Sequence, residues 1–158
     1  MAPAPAALPV IAPPAGPLGP PTMEDALYAV VMASPAVTAI LGDRFYPVDF
    51  PQAPVYPAAL YLVVSRVRHV HMNGNSRLAR SRLQVDAYAL SFDELVALAE
   101  AISDALHAFR GLVTVEGVAD PVEVQGVFSQ NEIDLPETVV RQSGPRIRTR
   151  QLEFAIWF

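Results

Sequence analysis

Hydrophobic and polar residues alternate from Arg77 to Leu90, and the pattern changes to a helical period directly afterwards. The alternation predicts a β-strand with one buried face, because successive side chains of a strand point to opposite sides of a sheet. Ser91 and Glu94 form a capping-box pattern at the start of an amphipathic helix that ends at Gly111. The predicted buried positions are Leu83, Val85, Ala87 and Ala89 on the strand, and Leu95, Leu98, Ala99, Ile102, Leu106 and Phe109 on the helix.

A broken helix and the partner of this strand are predicted nearer the N-terminus. Thr22 is placed to cap a first helix, and Ser34-Pro35 restarts a second one that stops at Gly42. A short strand is expected at residues 44–46. Residues 58–71 are rich in Val, Leu and Tyr and increasingly basic, and the turn at residues 72–75 has Asn-Gly at its centre. Together these segments predict a long basic β-hairpin.

The C-terminal third predicts further strands. Residues 112–118 and 122–130 are typical of strands around a turn at residues 119–121, and residues 131–145 are predicted as a polar, proline-containing loop. Residues 146–158 alternate again, which places Trp157 on the face opposite Leu152, Phe154 and Ile156. The predicted fold class is α+β, with an antiparallel or mixed sheet packed against helices.

The first 21 residues differ in composition from the rest. They contain eight of the 16 prolines and no charged residue, so neither a continuous helix nor a central strand is expected there. The segment lacks the pattern of a secretory signal and is too interrupted to span a membrane. We therefore expect a Pro/Ala-rich arm at residues 1–21, a single α+β domain at residues 22–158, and no membrane partner.

The charge is segregated along the chain. The net charge of −5 argues against general attraction to nucleic acid. The segment between Phe50 and Val85 contains arginines and no acidic residue, whereas the segment from Gly111 to Val140 contains acidic residues and no base, and a second arginine cluster follows. Complementary patches that meet between copies of the chain would explain this pattern, and three separately solvated surfaces are the simpler alternative.

No constellation of residues indicates catalysis or a cofactor. His69 and His71 alternate on one strand, but no third His or any Cys lies nearby to complete a metal site. Glu132 and Asp134 are paired acids on an extended segment, which alone does not make a hydrolase. Phosphate-binding and nucleophile-elbow motifs are absent from the sequence. We therefore expect no catalytic, cofactor-binding or metal-binding residues, and only non-specific contact with passing DNA.

Six segments in order resemble one family. They are M-E-D-A-L-Y, L-G-D-R-F-Y-P, L-Q-V-D-A-Y-A, A-L-A-E-A-I-S-D-A-L, V-E-V-Q-G-V-F-S and L-E-F-A-I-W-F, which together run from Met23 to Phe158. In this order the chain resembles the tail-completion, or tail-terminator, proteins of long-tailed bacteriophages and gene transfer agents. The resemblance implies a non-enzymatic virion protein whose subunits form a ring, usually hexameric, on the head-proximal end of the tail tube. Such a ring ends tube polymerisation and joins the tail to the head, leaving a channel for DNA.

The resemblance also implies the partners and the place of action. Further copies of the chain, the tail-tube protein and the head-tail connector or stopper protein are the expected partners, with assembly in the host cytoplasm. A head-to-tail ring needs two different, complementary surfaces on each subunit. The candidate contact residues are Arg66, Arg68, Arg77, Arg80, Arg82, Glu132, Asp134, Arg141, Arg146, Arg148 and Trp157. A head-completion ring on the portal side, a small ligand-binding domain or enzyme, and a nucleic-acid-binding module remain as alternatives.

Overall fold

A five-stranded mixed sheet with helices on one face forms the body of the protein. The computed structural model describes residues 22–115, 120–139 and 144–158. In this part of the chain the helices are α1 (Met23–Ala33), α2 (Pro35–Leu41) and α3 (Phe92–Leu106). The strands are β1 (Phe45–Pro47), β2 (Ala58–His71), β3 (Gly74–Ala89), β4 (Gly111–Val113), β5 (Val122–Val124), β6 (Gly126–Val139) and β7 (Arg146–Trp157). The predicted α+β class is confirmed.

The helices begin where the sequence places their caps. The Thr22 hydroxyl accepts a hydrogen bond from the Asp25 N–H, and the Asp25 carboxylate accepts one from the Thr22 N–H, which completes a capping box. Ser91 accepts a hydrogen bond from the Glu94 N–H at the start of α3. Acidic residues in the first turns of α1 and α3 complement the positive end of each helix dipole.

The strand order β1-β2-β3-β7-β6 places the two long hairpins side by side, with their tips at opposite ends of the sheet. Strand β3 pairs antiparallel with β2 and with β7, and Arg80 lies opposite Trp157 where the β3–β7 ladder ends. At the other end of that ladder, Ala89 lies opposite Arg148. Strands β4 and β5 form a separate antiparallel pair.

The core lies between the helices and one face of the sheet. Helix α3 packs on β3 and β7, and the fully buried side chains there include Leu83, Val85, Leu98, Ile102 and Phe154. The alternation predicted for β3 and β7 is confirmed, because their apolar positions are buried and the intervening positions are mostly half-exposed. The sheet face opposite the helices is therefore only partly covered by the subunit itself.

Three boundary predictions are wrong. Residues 131–139 continue β6 rather than forming a loop, and the connection to β7 is correspondingly shorter than the predicted 131–145. Strand β4 ends at Val113, before the predicted residues 114–115, and the strand predicted at residues 122–130 is divided at Gln125 into β5 and the start of β6. The first hairpin turns at Met72–Asn73, one residue earlier than the Asn-Gly pair suggested, and Gly74 starts β3 with φ 125°. The predicted arm at residues 1–21 lies outside the described residues. So do residues 116–119, which include the end of the predicted strand 112–118 and the first residue of the predicted turn 119–121.

Replacing Leu98 tests the importance of the α3–sheet contact. We expect Leu98→Ala to lower the free energy of unfolding by about 3 kcal/mol, because a fully buried leucine loses its contacts and leaves a cavity. Urea unfolding measures the change. The matched control is Leu112→Ala, at a leucine that is 67% exposed, which should change stability by less than about 1 kcal/mol. Equal losses in the two variants would contradict the assigned core.

Candidate assembly surfaces

The basic hairpin extends past the end of the sheet. The C-terminal chain accompanies β3 as far as Ala79, which exchanges backbone hydrogen bonds with Phe158, and residues 69–78 of the hairpin continue beyond it as a two-stranded ribbon. We call residues 67–80 the hairpin tip. At about 3.3 Å per residue, the three residues from His69 to His71 carry the turn roughly 10 Å beyond the pair of Ala79 with Phe158. The tip is thus available to a neighbouring molecule without any rearrangement of the core.

The predicted arginines of this hairpin have two kinds of environment. Arg66 forms an ion pair with Glu24 of α1 at 2.7 Å, and Arg82 forms one with Glu153 of β7 at 3.2 Å, so both contribute contacts within the subunit. Arg68 is exposed and forms no ion pair with any described residue. The side chain of Arg77 lies outside the described residues. The charge left available on the described part of the hairpin is therefore concentrated in its tip.

Trp157 joins the hairpin tip to the sheet. The His69 ring stacks on the indole at a centroid distance of 5.5 Å and an interplanar angle of 14°. The Arg80 guanidinium lies 5.7 Å from the centre of the indole, within reach of a cation–π interaction. Trp157 is half-buried, so within the subunit it supports the base of the hairpin tip. Its proposed contact with a partner stays a prediction.

The second arginine cluster is largely neutralised within the β6–β7 hairpin. Arg150 binds Asp134 with two hydrogen bonds, from Nε to Oδ1 at 2.6 Å and from Nη2 to Oδ2 at 3.1 Å. Arg148 and Arg146 both approach Glu137, at 2.7 and 3.5 Å. Hydrogen bonding from Arg150 holds the pKa of Asp134 below its ordinary value. These acidic and basic segments therefore pair along one hairpin, a contact that sequence reasoning missed because it expected a loop here.

Glu132 and Arg141 are the two remaining candidate residues of this region. Glu132 is exposed and forms no ion pair among the described residues, although its charge contributes to raising the pKa of Arg150. Arg141 lies outside the described residues. The contact roles of both residues stay predictions.

The sheet face away from the helices is a mixed polar and apolar surface, and the sequence pattern did not indicate a function for it. We call it the open face. Its position follows from the register, because Leu62 and Glu153 flank Gln84, and Leu60 and Gln151 flank Asp86. Phe128 and Ile133 of β6 add large apolar side chains that are 47% and 40% exposed. Residues of the open face are Leu60, Leu62, Gln84, Asp86, Phe128, Ile133, Gln151 and Glu153.

Asp86 lies near the middle of the open face without a cationic partner. Its two carboxylate oxygens each accept a hydrogen bond of 3.0 Å from the Gln84 amide, and no ion pair to a described residue accompanies them. Burial raises the pKa of Asp86, and the Gln84 hydrogen bond opposes that rise only in part. The carboxylate is thus held among neutral and apolar neighbours. No local sequence pattern could show this, because those neighbours come from three separate strands.

The clefts of the described residues offer no evident catalytic arrangement. One cleft of about 420 Å³ is lined by Glu24, Asp25, Pro47 and Tyr61 among others, but Asp25 caps α1 and Glu24 is paired with Arg66. Burial, together with nearby Asp25, Tyr28 and Glu24, raises the pKa of Tyr61 to about 12, which makes it a poor proton donor or acceptor near neutrality. Within the described ranges, no group of three or more His, Cys, Asp or Glu residues is placed to hold a metal ion.

The described helices are short. None of the described helices is by itself long and apolar enough to cross a membrane. Helices α1 and α2 reach that length and composition only when taken together, and they are bent by 87° at Ser34.

The described part of the chain is a small α+β fold with a projecting hairpin, and the comparisons with known proteins specify the class of protein. The family model "Tail completion protein gp17" matches residues 25–156, so the chain belongs to this family of structural phage tail proteins. A chain of the solved structure "Virion of native gene transfer agent (GTA) particle" is similar in fold. It is 16% identical, the match covers 85% of this chain and 92% of that one, and the TM-score is 0.59. No curated protein matches.

Neutralising Asp134 should produce a small, pH-dependent loss of stability. Because the pKa of Asp134 is lowered in the folded chain, its contribution is present above the ordinary pKa and is lost as the pH falls through the folded value. We expect Asp134→Asn to cost at most about 1 kcal/mol at pH 7, since the pair is solvent-exposed, and nothing near pH 2. Urea unfolding at both pH values measures this. Glu123→Gln, at an exposed acid without an ion pair, is the control, and an equal effect there would contradict the pairing.

Neutralising Asp86 should change the stability of the chain in the opposite direction, by raising it. The folded pKa of Asp86 is raised, so its charged form opposes folding above that pKa, and this cost disappears as the pH falls below the ordinary value. Asp86→Asn should therefore stabilise the isolated chain at pH 7 and leave its stability unchanged near pH 3. The gain should be small, because the site is still partly solvated. A destabilised variant at pH 7 would contradict the assigned environment.

Proposed function

We propose that this chain is the subunit of a ring that caps the head-proximal end of a phage-like tail tube. In this proposal the ring ends tube polymerisation and joins the completed tail to the head, with a central channel for DNA. A homohexamer is the expected form. Membership of the tail-completion family supports the proposal, and so does the similarity of fold to a chain from a gene transfer agent virion.

The observation that carries the proposal is the hairpin tip. It projects from the sheet, and it combines an exposed arginine, Arg68, that forms no ion pair with a described residue, with apolar side chains exposed to solvent. Val67, Val70 and Met72 are 57%, 74% and 106% exposed, which is unusual for three apolar residues of one hairpin and typical of a contact surface. A stable isolated subunit gains nothing from such a projection, whereas a subunit of an assembly uses it to reach its neighbour.

The two ends of the sheet give the ring two different faces. The hairpin tip lies at one end, and the start of β7 lies at the other with Arg146 and Arg148. Both arginines are still 75% and 41% exposed despite their contacts with Glu137. In the proposed ring, one end meets the tail tube and the other meets the connector. Cryo-electron microscopy of tails with and without heads distinguishes this arrangement from a stopper ring that binds only the portal side.

Native mass spectrometry of the full chain, alone and with its tail-tube subunit, tests the proposal. We expect a sixfold species alone or on addition of the tube. Arg68→Glu should weaken the association by about tenfold, because it reverses a charge on the hairpin tip while leaving the core intact. The matched control is Arg110→Glu, at an exposed arginine outside the hairpin that forms no ion pair with a described residue. A persistent monomer or dimer that ignores the tube would contradict the proposed function.

A further inference from the structure

The open face has the composition of an interface that lacks its second half. Its polar centre is formed by Gln84, Asp86, Gln151 and Glu153, and Phe128 and Ile133 expose apolar surface beside it. Arg82 already neutralises Glu153 at 3.2 Å, so Asp86 is the carboxylate of this face that has no cation. A partner that suits the face would bring one positive charge and several apolar side chains.

The hairpin tip carries that combination. Val67, Val70 and Met72 supply the exposed apolar surface, and Arg68 supplies a cation with no partner in the described residues. No acidic residue occurs anywhere between Phe50 and Val85, so nothing on the tip would repel the carboxylate of Asp86. The tip and the open face thus match in charge and in apolar character.

We propose that the hairpin tip of one copy of this chain lies on the open face of the next copy, with Arg68 next to Asp86. The inference rests on the proposed ring and identifies the contact that closes it. Donor and acceptor are different surfaces of the same subunit, so the contact is head-to-tail, and repetition by a constant rotation closes a ring. An arginine placed beside a half-buried carboxylate also offsets the cost of holding that charge among apolar neighbours.

A subunit cannot make this contact with itself. Leu62 of the open face lies on β2, and Met72 of the tip directly follows the last residue of β2, ten residues further along the chain. That separation is about 33 Å at the rise of a β-strand, far more than a direct contact allows. The tip therefore needs the open face of another molecule.

The other plausible contact between sheets, addition of a strand to the β6 edge, is disfavoured. The Glu132 N–H already donates to the Asn131 side chain at 3.0 Å, and Pro136 has no N–H to offer. Near the start of β6, Val127 exchanges backbone hydrogen bonds with Ala108 and Phe109. Prolines and locally capped amides protect edge strands from further pairing. The face of the sheet is the better acceptor.

Cysteine cross-linking tests the contact directly, since the chain contains no native cysteine. Met72→Cys and Leu62→Cys are made in separate full-length chains, mixed alone and with the tail-tube subunit, and oxidised. We expect a disulfide-linked dimer that contains one chain of each variant, because a disulfide requires Cα atoms within about 7 Å. The control mixes Met72→Cys with Leu112→Cys, at an exposed site on β4, and should yield far less disulfide-linked dimer. Cross-linking of Met72→Cys with itself as the main product would overturn the head-to-tail contact.

A charge test gives a second, independent reading of the same contact. Asp86→Asn keeps the side-chain shape and a partner for Gln84 but removes the charge, and it should weaken self-association by about tenfold. Asp104→Asn, at an exposed position of α3, is the matched control and should leave the association unchanged. Arg68→Asp combined with Asp86→Arg should recover much of the association lost in either single variant, if the double variant has a native circular dichroism spectrum.

The outcomes separate this inference from the proposed function. Sixfold rings without the mixed disulfide, and with Asp86→Asn assembling as well as the original chain, would overturn the inference and leave the ring in place. The absence of any multimer, alone and with the tube subunit, would overturn both. Mixed disulfides together with weakened assembly of Asp86→Asn would support both.

Discussion

The packing of α3 on the central strands β3 and β7 is the contact on which the rest of the structure depends. The 15 residues of α3 extend for about 22 Å, whereas the 16 residues of β3 extend for about 53 Å. The helical layer therefore covers only part of the length of the sheet. The hairpin tip projects because β3 outruns both its helical cover and its partner β7. The open face exists because the helices all occupy one side, so the functional surfaces follow from a mismatch in the lengths and numbers of the packed elements.

Internal pairing determines which charges are left for partners. The acidic residues of β6 face the arginines of β7 along the same ladder, and Arg66 and Arg82 are held by Glu24 and Glu153. Part of the segregated charge seen in the sequence is thus paired within one chain, which neither separately solvated surfaces nor contacts between copies had anticipated. Among the described residues, the charges that remain for a partner are individual side chains and not two whole charged segments. A cation projects on the hairpin tip, and a carboxylate lies on the open face without one.

The parts of the fold that the sequence predicts well are those with a strong local signal. Residues 58–71 form β2 as expected, and β3, α3 and β7 show the predicted alternation and period, because each buries one face against the common core. The second half of strand β6 was not predicted because it lacks such a local signal. As an edge strand it is exposed at every position from Asn131 to Thr138, so neither face carries an apolar pattern, and Pro136 suggested a loop. The open face was missed because register brings Leu60, Asp86 and Gln151 together from three strands, and a single sequence contains no information on that register.

The environment of Asp86 also suggests why a subunit of this kind would keep a charge that opposes its own folding. A half-buried carboxylate beside an amide lowers the stability of the isolated subunit, and replacing it with a neutral residue would remove that cost. The cost is specific to the free state if a neighbour's arginine completes the site. Binding energy gained at such a position discriminates the correct head-to-tail neighbour from any other apolar contact, because a wrong partner leaves the carboxylate buried without a cation. For the proposed ring, closure with one geometry depends more on that discrimination than on additional stability in each subunit.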